Sequence, residues 1–156
     1  MKAKSVLLMM TVAVRFNAGP AQAQVSDDTI LTYMVLTEEW HDLIGWVLAL
    51  TEAEAEAFWP IYEEYAAVKG ALWDERIDVI KMFLVGYDTM GPEVARGLLG
   101  ASFEIDSKMV ALERAYADRF DDVLPPAKVV RLFQAENKLE TMMSMEIAKD
   151  IPLAKK

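Results

Sequence analysis

The 156-residue chain contains no cysteine and only one histidine, His41. Without thiols, disulfide bonds and cysteine-based zinc sites are excluded. Glu38 and His41 are three residues apart and could share one helix face. Metal sites in helical bundles, however, combine several such pairs with more than one histidine. We therefore predict no metal site and no bound cofactor.

Motifs that carry enzyme chemistry are also missing: the sequence has no glycine-rich phosphate loop and no zinc-protease signature. Three acidic pairs could in principle supply catalytic carboxylates: Glu63-Glu64, Asp74-Glu75 and Asp121-Asp122. Each pair lies on the polar side of a predicted helix without a histidine or serine motif nearby, which is typical of a solvated face. The sequence predicts a protein that is not an enzyme. The alternative, a hydrolase with an unrecognised site, has no set of residues to support it.

The N-terminus has the three parts of a secretory signal peptide. Lys2 and Lys4 are followed by an apolar run over residues 5–14, which is too short to span a bilayer. Residues 21–23, Ala-Gln-Ala, then supply the small-x-small pattern that a signal peptidase cleaves. We predict that residues 1–23 are removed and that a soluble periplasmic protein begins at Gln24, with no integral membrane segment after cleavage. The alternative is an uncleaved helix on the membrane surface.

The charge of the chain is strongly negative, with a formal net value of −9. The predicted leader contains three basic residues (Lys2, Lys4 and Arg15) and no acid, so its removal changes the net charge from −9 to −12. Such a surface excludes nucleic acid and disfavours anionic membranes as partners, because both require a basic face. Basic polypeptides remain possible partners.

Proline and glycine are few, and they separate four segments with the apolar spacing of helices. The predicted helices cover about residues 30–48, 50–87, 92–123 and 126–149. Gly91-Pro92 and Pro125-Pro126 mark two of the breaks, since proline suits the first position of a helix and not its interior. No segment alternates with the period of a strand. The sequence predicts an all-α fold, with residues 24–156 forming a single helical domain.

The second helix is the longest, and its start carries the clearest local signal. Leu50 precedes Thr51, whose hydroxyl can cap the helix, and Glu54 follows three residues later to complete a capping box. Pro60 lies inside this helix and is expected to bend it. We predict a long, bent central helix in an antiparallel helical hairpin or bundle. So few helices cannot bury every side of it, so we also predict a homodimer.

Three large rings lie beside the expected bend: Phe58, Trp59 and Tyr62. Near a bend, such rings can lack a full set of packing partners and can contact apolar segments of another polypeptide. These residues are our candidates for client binding. The alternative is that they belong to an ordinary core and a dimer seam.

Several short segments resemble one family of exported proteins. The chain carries Leu50-Thr51-x-x-Glu54, Ala57-Phe58-Trp59-Pro60-Ile61-Tyr62, Leu124-Pro125-Pro126, Asn137-Lys138-Leu139 and Ile151-Pro152-Leu153, in that order. This set is similar to the Spy/CpxP-type periplasmic proteins and their LTxxQ motif, and in particular to exported relatives that share the later segments. Here Glu54 stands where the motif has glutamine.

The resemblance implies a function that composition alone does not. It implies a non-enzymatic, ATP-independent periplasmic chaperone or envelope-stress adaptor, folded as a bent antiparallel helical dimer and binding unfolded polypeptides. The alternative is a metal-stress or signalling accessory protein that docks on a membrane sensor.

Export gives the first testable prediction. If residues 1–23 are a cleaved leader, intact-mass analysis of protein from the periplasmic fraction will show a chain that starts at Gln24. Recovery of the chain with Met1 from the cytosol would contradict both the cleavage and the location.

Overall fold

The computed structural model of the protein describes residues 40–155, and all the regular secondary structure in that range is helical. α1 covers residues 40–48 of the described part, and it is followed by α2 (Glu52–Gly86), α3 (Pro92–Asp121) and α4 (Pro126–Ala148). The prediction of an all-α fold with four helices is confirmed, and the observed ends of α2, α3 and α4 lie within two residues of the predicted ones. The predicted signal peptide and the predicted part of the first helix before residue 40 lie outside the described residues.

The start of α2 has the predicted capping box. The backbone N–H of Glu54 donates to Thr51 Oγ1 at 3.3 Å, and the Glu54 carboxylate accepts from the backbone N–H of Thr51 at 2.7 Å. Two amide groups that have no partner within the helix are satisfied in this way. α3 and α4 begin with Pro92 and Pro126 in their first turns, where a missing N–H costs nothing.

The capping box also joins α2 to the start of α4. Lys128 Nζ lies 2.7 Å from the Glu54 carboxylate and donates to the carbonyl oxygen of Ala49 at 3.0 Å. Ala49 ends α1 with φ of 45°, in the left-handed region that usually requires glycine. The ammonium group of Lys128 therefore stabilises both the turn between α1 and α2 and the first turn of α2.

The helices α2 and α3 form an antiparallel hairpin, as predicted. Ion pairs along its length join Arg119 to Glu64 at 2.8 Å, Lys108 to Glu75 at 3.0 Å and Arg76 to Asp106 at 2.6 Å. The partner's residue number falls as the number along α2 rises, which defines the antiparallel direction. Five of the six side chains are exposed and Arg76 is half-buried, so each pair contributes little to stability.

α4 runs parallel to α2 on one side of the hairpin. Its first half packs Phe133 against Tyr65, with ring centroids 6.4 Å apart. Beyond its end, the carbonyl oxygen of Leu153 accepts from the hydroxyl of Tyr87 at 2.8 Å, near the end of α2. The tail of the chain therefore follows α2 to the tip of the hairpin.

The buried apolar side chains form two clusters. The first joins all four helices through Ile44, Leu48, Phe58, Tyr62, Tyr65, Phe120, Leu124, Val129 and Leu132. The second lies nearer the hairpin tip and contains Leu72, Trp73, Met109, Met143 and Ile147. Within residues 40–155 no helix is both long and apolar enough to cross a membrane.

Glu54 gives a pH-dependent prediction. The hydrogen bond from Lys128, together with that from the Thr51 N–H, lowers the pKa of Glu54 from 4.5 to about 2. A carboxyl group whose pKa is lowered by folding stabilises the protein above its unfolded pKa, and this contribution is lost as the pH falls through the folded pKa. Glu54→Gln should therefore be less stable than the parent chain at pH 7, and the difference should shrink between pH 4.5 and pH 2.

Thermal unfolding followed by circular dichroism at several pH values measures this difference. Glu52→Gln makes the same chemical change in the same helical turn and serves as the control, with a smaller expected difference at pH 7. A difference between Glu54→Gln and the parent that stays constant from pH 7 to pH 2 would contradict the assignment.

Candidate functional site

A buried cluster of charged side chains lies between α2 and α4, and we call Lys69, Glu136 and Glu140 the charge cluster. Lys69 is four residues after Tyr65 and three before Leu72, so it shares their buried face of α2. Glu136 and Glu140 are one helical turn apart on α4 and face it. Only 5% of Lys69 and 2% of Glu136 is exposed.

The charge cluster is closed by short polar contacts. Lys69 Nζ pairs with Oε2 of Glu136 and with Oε1 of Glu140. The other oxygen of Glu136 accepts from the hydroxyl of Tyr62 at 2.6 Å and from Nε1 of Trp40 at 3.1 Å. Glu136 therefore accepts from three donors on two helices, which satisfies a carboxylate that water cannot reach.

The pKa values follow from this arrangement. Burial alone lowers the pKa of Lys69, but the negative charges around it, Glu136 foremost, outweigh burial, and its pKa is raised. Burial raises the pKa of Tyr62, and the charge of Glu136 adds to the effect. On α3, burial and the nearby charge of Glu140 raise the pKa of Glu113. Lys69 therefore stays protonated and Tyr62 stays neutral.

These pKa values do not suit catalysis by the charge cluster. A lysine that acts as a nucleophile or general base needs a lowered pKa, and the shift of Lys69 has the opposite direction. The acceptor sites of Glu136 are already used by Tyr62, Trp40 and Lys69. These contacts instead join α1, α2 and α4 at one level of the bundle.

A cavity of about 230 Å³ lies beside the charge cluster. It is lined mostly by rings and small residues of α1 and α2, with contributions from α4: Trp40, His41, Tyr62, Glu63, Tyr65, Ala66, Lys69, Gly70, Trp73, Glu136 and Met143. The buried Nε1–H of Trp73 has no hydrogen-bond partner among the residues that the structure describes. The hydroxyl of Tyr65, also in the lining, has no such partner either, so the cavity is largely apolar and has two unsatisfied buried polar groups in its lining.

The structure corrects part of the predicted client-binding site. Phe58 and Tyr62 are buried in the first apolar cluster, where their rings contact each other and Phe120. A client cannot touch them in this structure. The sequence argument expected rings beside Pro60 to lack packing partners, but Phe58 and Tyr62 lie four residues apart on the core face of α2 and are fully packed there. Trp59 is half-buried, and its ring stacks on His41 with centroids 3.7 Å apart.

His41 itself lies at the start of the described chain and is half-exposed. Glu38, its possible partner at metal-ligand spacing, lies outside the described residues. Between residues 40 and 155, no group of three or more histidine, aspartate or glutamate side chains is arranged to hold a metal ion.

Large apolar side chains are exposed elsewhere. On α3, Leu99, Phe103 and Val110 are four and seven residues apart on one face, and we call them the α3 stripe. They are 55%, 61% and 48% exposed, respectively. Met142 and Met145 are exposed on α4, whereas their neighbour Met143 is buried, so the methionines of this segment are divided between surface and core.

Comparison of the chain with protein-family models, with curated proteins and with solved structures finds no match in any of the three.

The charge cluster gives a prediction about stability. Lys69→Met leaves the buried Glu136 and the half-buried Glu140 without their cation and should lower the free energy of unfolding by about 3–5 kcal/mol. The triple variant Lys69→Met/Glu136→Gln/Glu140→Gln removes all three charges and should regain most of this loss. Urea unfolding followed by circular dichroism at pH 7 measures both values.

Lys81→Met is the matched control, because Lys81 lies on the same helix but is exposed beside Asp78. It should change the unfolding free energy by less than about 0.5 kcal/mol. If Lys69→Met is as mild as this control, the charge cluster does not organise the bundle.

Proposed function

We propose that the protein binds segments of other polypeptides in the periplasm through the α3 stripe, without ATP and without an enzymatic step. The observation that carries this proposal is the exposure of Leu99, Phe103 and Val110 along one face of a helix. Apolar side chains in a row, rather than scattered singly, are typical of a surface that meets a partner.

The chemistry of the surface indicates which segments would bind. A shallow groove next to the stripe is lined by Asp106, Ser107, Val110, Ala111 and Arg114. Glu104 and Asp106 are exposed close to Phe103 in the sequence. With a net charge of −9, the chain should favour segments that combine apolar residues with lysine or arginine. Unfolded or basic polypeptides are the clients we propose.

The helix α4 also exposes flexible apolar side chains. Met142 and Met145 are exposed, and methionine adapts its shape to varied apolar partners. A binding surface of this kind suits many clients better than one. The resemblance to Spy/CpxP-type proteins supports the same proposal, and the location in the periplasm and the homodimer are parts of it.

The test uses the double variant Leu99→Ser/Phe103→Ser. Loss of two apolar contacts should weaken client binding by roughly tenfold, which corresponds to about 1.4 kcal/mol. The measurement is light scattering of a reduced or heat-stressed client with purified protein and no ATP. The parent chain should suppress aggregation near stoichiometric ratios, and the variant should need a clear excess.

Val85→Ser is the control, because Val85 is an exposed apolar residue on α2 outside the α3 stripe. It should leave suppression unchanged. Sedimentation velocity separates the stripe from a dimer seam: a variant that turns from dimer to monomer would assign these residues to the seam and contradict the proposal. No suppression by the parent chain, with either acidic or basic clients, would favour docking on a membrane sensor instead.

A further inference from the structure

One side of the cavity beside the charge cluster is formed by small residues of α2. Ala66 and Gly70 line it together with Glu63 and Trp73, and steps of three and four residues place all four on one helix face. Gly70 lies in the interior of a long helix, where glycine is less favourable than alanine. A Cβ on Gly70 would meet no atom of the described residues within 4 Å, so this glycine leaves space open beside the helix.

The cavity has room for a small organic molecule. Its volume is about 230 Å³. An engineered apolar cavity of about 150 Å³ holds benzene, so a molecule with two fused aromatic rings fits into the larger space. Glu63 and Ala66 in the lining are exposed, so the cavity can be entered from solvent.

The indole of Trp73 indicates which polar group a ligand would carry. Trp73 is 6% exposed, and its Nε1–H has no hydrogen-bond partner within residues 40–155. An indole N–H can only donate, and a buried donor without a partner destabilises the structure. The hydroxyl of Tyr65, also without a partner there, can donate or accept and so constrains the ligand less. A ligand of this cavity therefore needs an acceptor oxygen.

The charged side chains of the lining favour an uncharged ligand. Glu63 and Glu136 contribute two carboxylates, and the ammonium group of Lys69 is already paired with Glu136. An anion would therefore meet negative charge. A cation would compete with Lys69, whose Nζ lies 5.7 Å from the ring centroid of Trp40 and 5.2 Å from that of Tyr65.

We propose that the cavity binds an uncharged aromatic molecule with two fused rings and one hydroxyl or carbonyl oxygen, which accepts from the Nε1–H of Trp73. The rings of the ligand pack against Trp40 and Met143, beside the small residues Ala66 and Gly70. The residues of the α3 stripe do not line the cavity, so this site is separate from the surface proposed for polypeptides.

Titration of the full-length chain with β-naphthol tests the proposal, and naphthalene is the matched compound without the oxygen. Proton–nitrogen NMR spectra of the indole N–H groups follow the binding. One molecule of β-naphthol should bind per chain, roughly tenfold more tightly than naphthalene, because only β-naphthol accepts a hydrogen bond. The Trp73 signal should shift, whereas the signal of Trp46, which is exposed and outside the cavity lining, should not.

Two variants locate the ligand. Trp73→Phe keeps an aromatic ring but removes the N–H, so the preference for β-naphthol over naphthalene should fall below about twofold. Trp46→Phe makes the same change outside the cavity and should keep the preference. Gly70→Leu places a side chain in the open space and should abolish the binding of both compounds. Leucine forms helices better than glycine, so circular dichroism of this variant should show no loss of helix.

No binding of either compound to the parent chain would overturn the proposal, as would equal affinity for the two compounds. A preference for β-naphthol that survives in Trp73→Phe would show that another group donates to the oxygen. Binding that persists in Gly70→Leu would place the ligand elsewhere on the protein. Each of these two results would also contradict the proposed site.

Discussion

The contact of Lys69 with Glu136 is the interaction on which the arrangement of the helices depends, although these residues are 67 positions apart in the chain. An ammonium group and a carboxylate that are both removed from water destabilise a fold unless they meet with good geometry. Trp40 and Tyr62 complete the set of bonds to Glu136, so α1, α2 and α4 must all be in register for the charges to be satisfied. A displacement of α4 by one turn towards the C-terminal end of α2 would place Leu132 or Phe133 near Lys69 and bring Glu136 towards Leu72 and Trp73. The ion pair therefore disfavours incorrect packing as much as it favours the correct one.

Local sequence features predict the helices well because the signals are local. Thr51 and Glu54 form the expected capping box, and Pro92 and Pro126 start the helices that follow them. Sequence analysis did not predict the charge cluster, although the apolar patterns of α2 and α4 are interrupted at its members. Lys69 fills a seven-residue gap in the apolar pattern of α2 between Tyr65 and Leu72, and Glu136 fills a similar gap on α4 between Phe133 and Leu139. Two such gaps with opposite charges indicate a buried pair, but spacing within one helix cannot show which other helix supplies the partner.

The candidate client-binding residues also show that spacing within one helix does not reveal which residues pack against it. Phe58 and Tyr62 are aromatic and lie near a proline, which describes a core residue and a surface residue equally well. Only the packing of Phe120 and the neighbouring core around them distinguishes the two cases. Exposed large apolar side chains lie elsewhere, on all four helices, among them Trp46 on α1, Val85 on α2 and Phe103 on α3. The α3 stripe, our proposed recognition surface, is therefore separate from the core, so its residues can change with little cost to the fold.

The position of Glu136 in the last helix has a consequence for biosynthesis. The cation of Lys69 emerges from the ribosome before both carboxylates that neutralise it, because these belong to the 23-residue α4. A nascent chain that ends before α4 carries an ammonium group on the face where apolar side chains must pack, and no partner exists for it. Such a chain gains little by collapsing around that face. Stable packing of this face is therefore delayed until α4 has been translated.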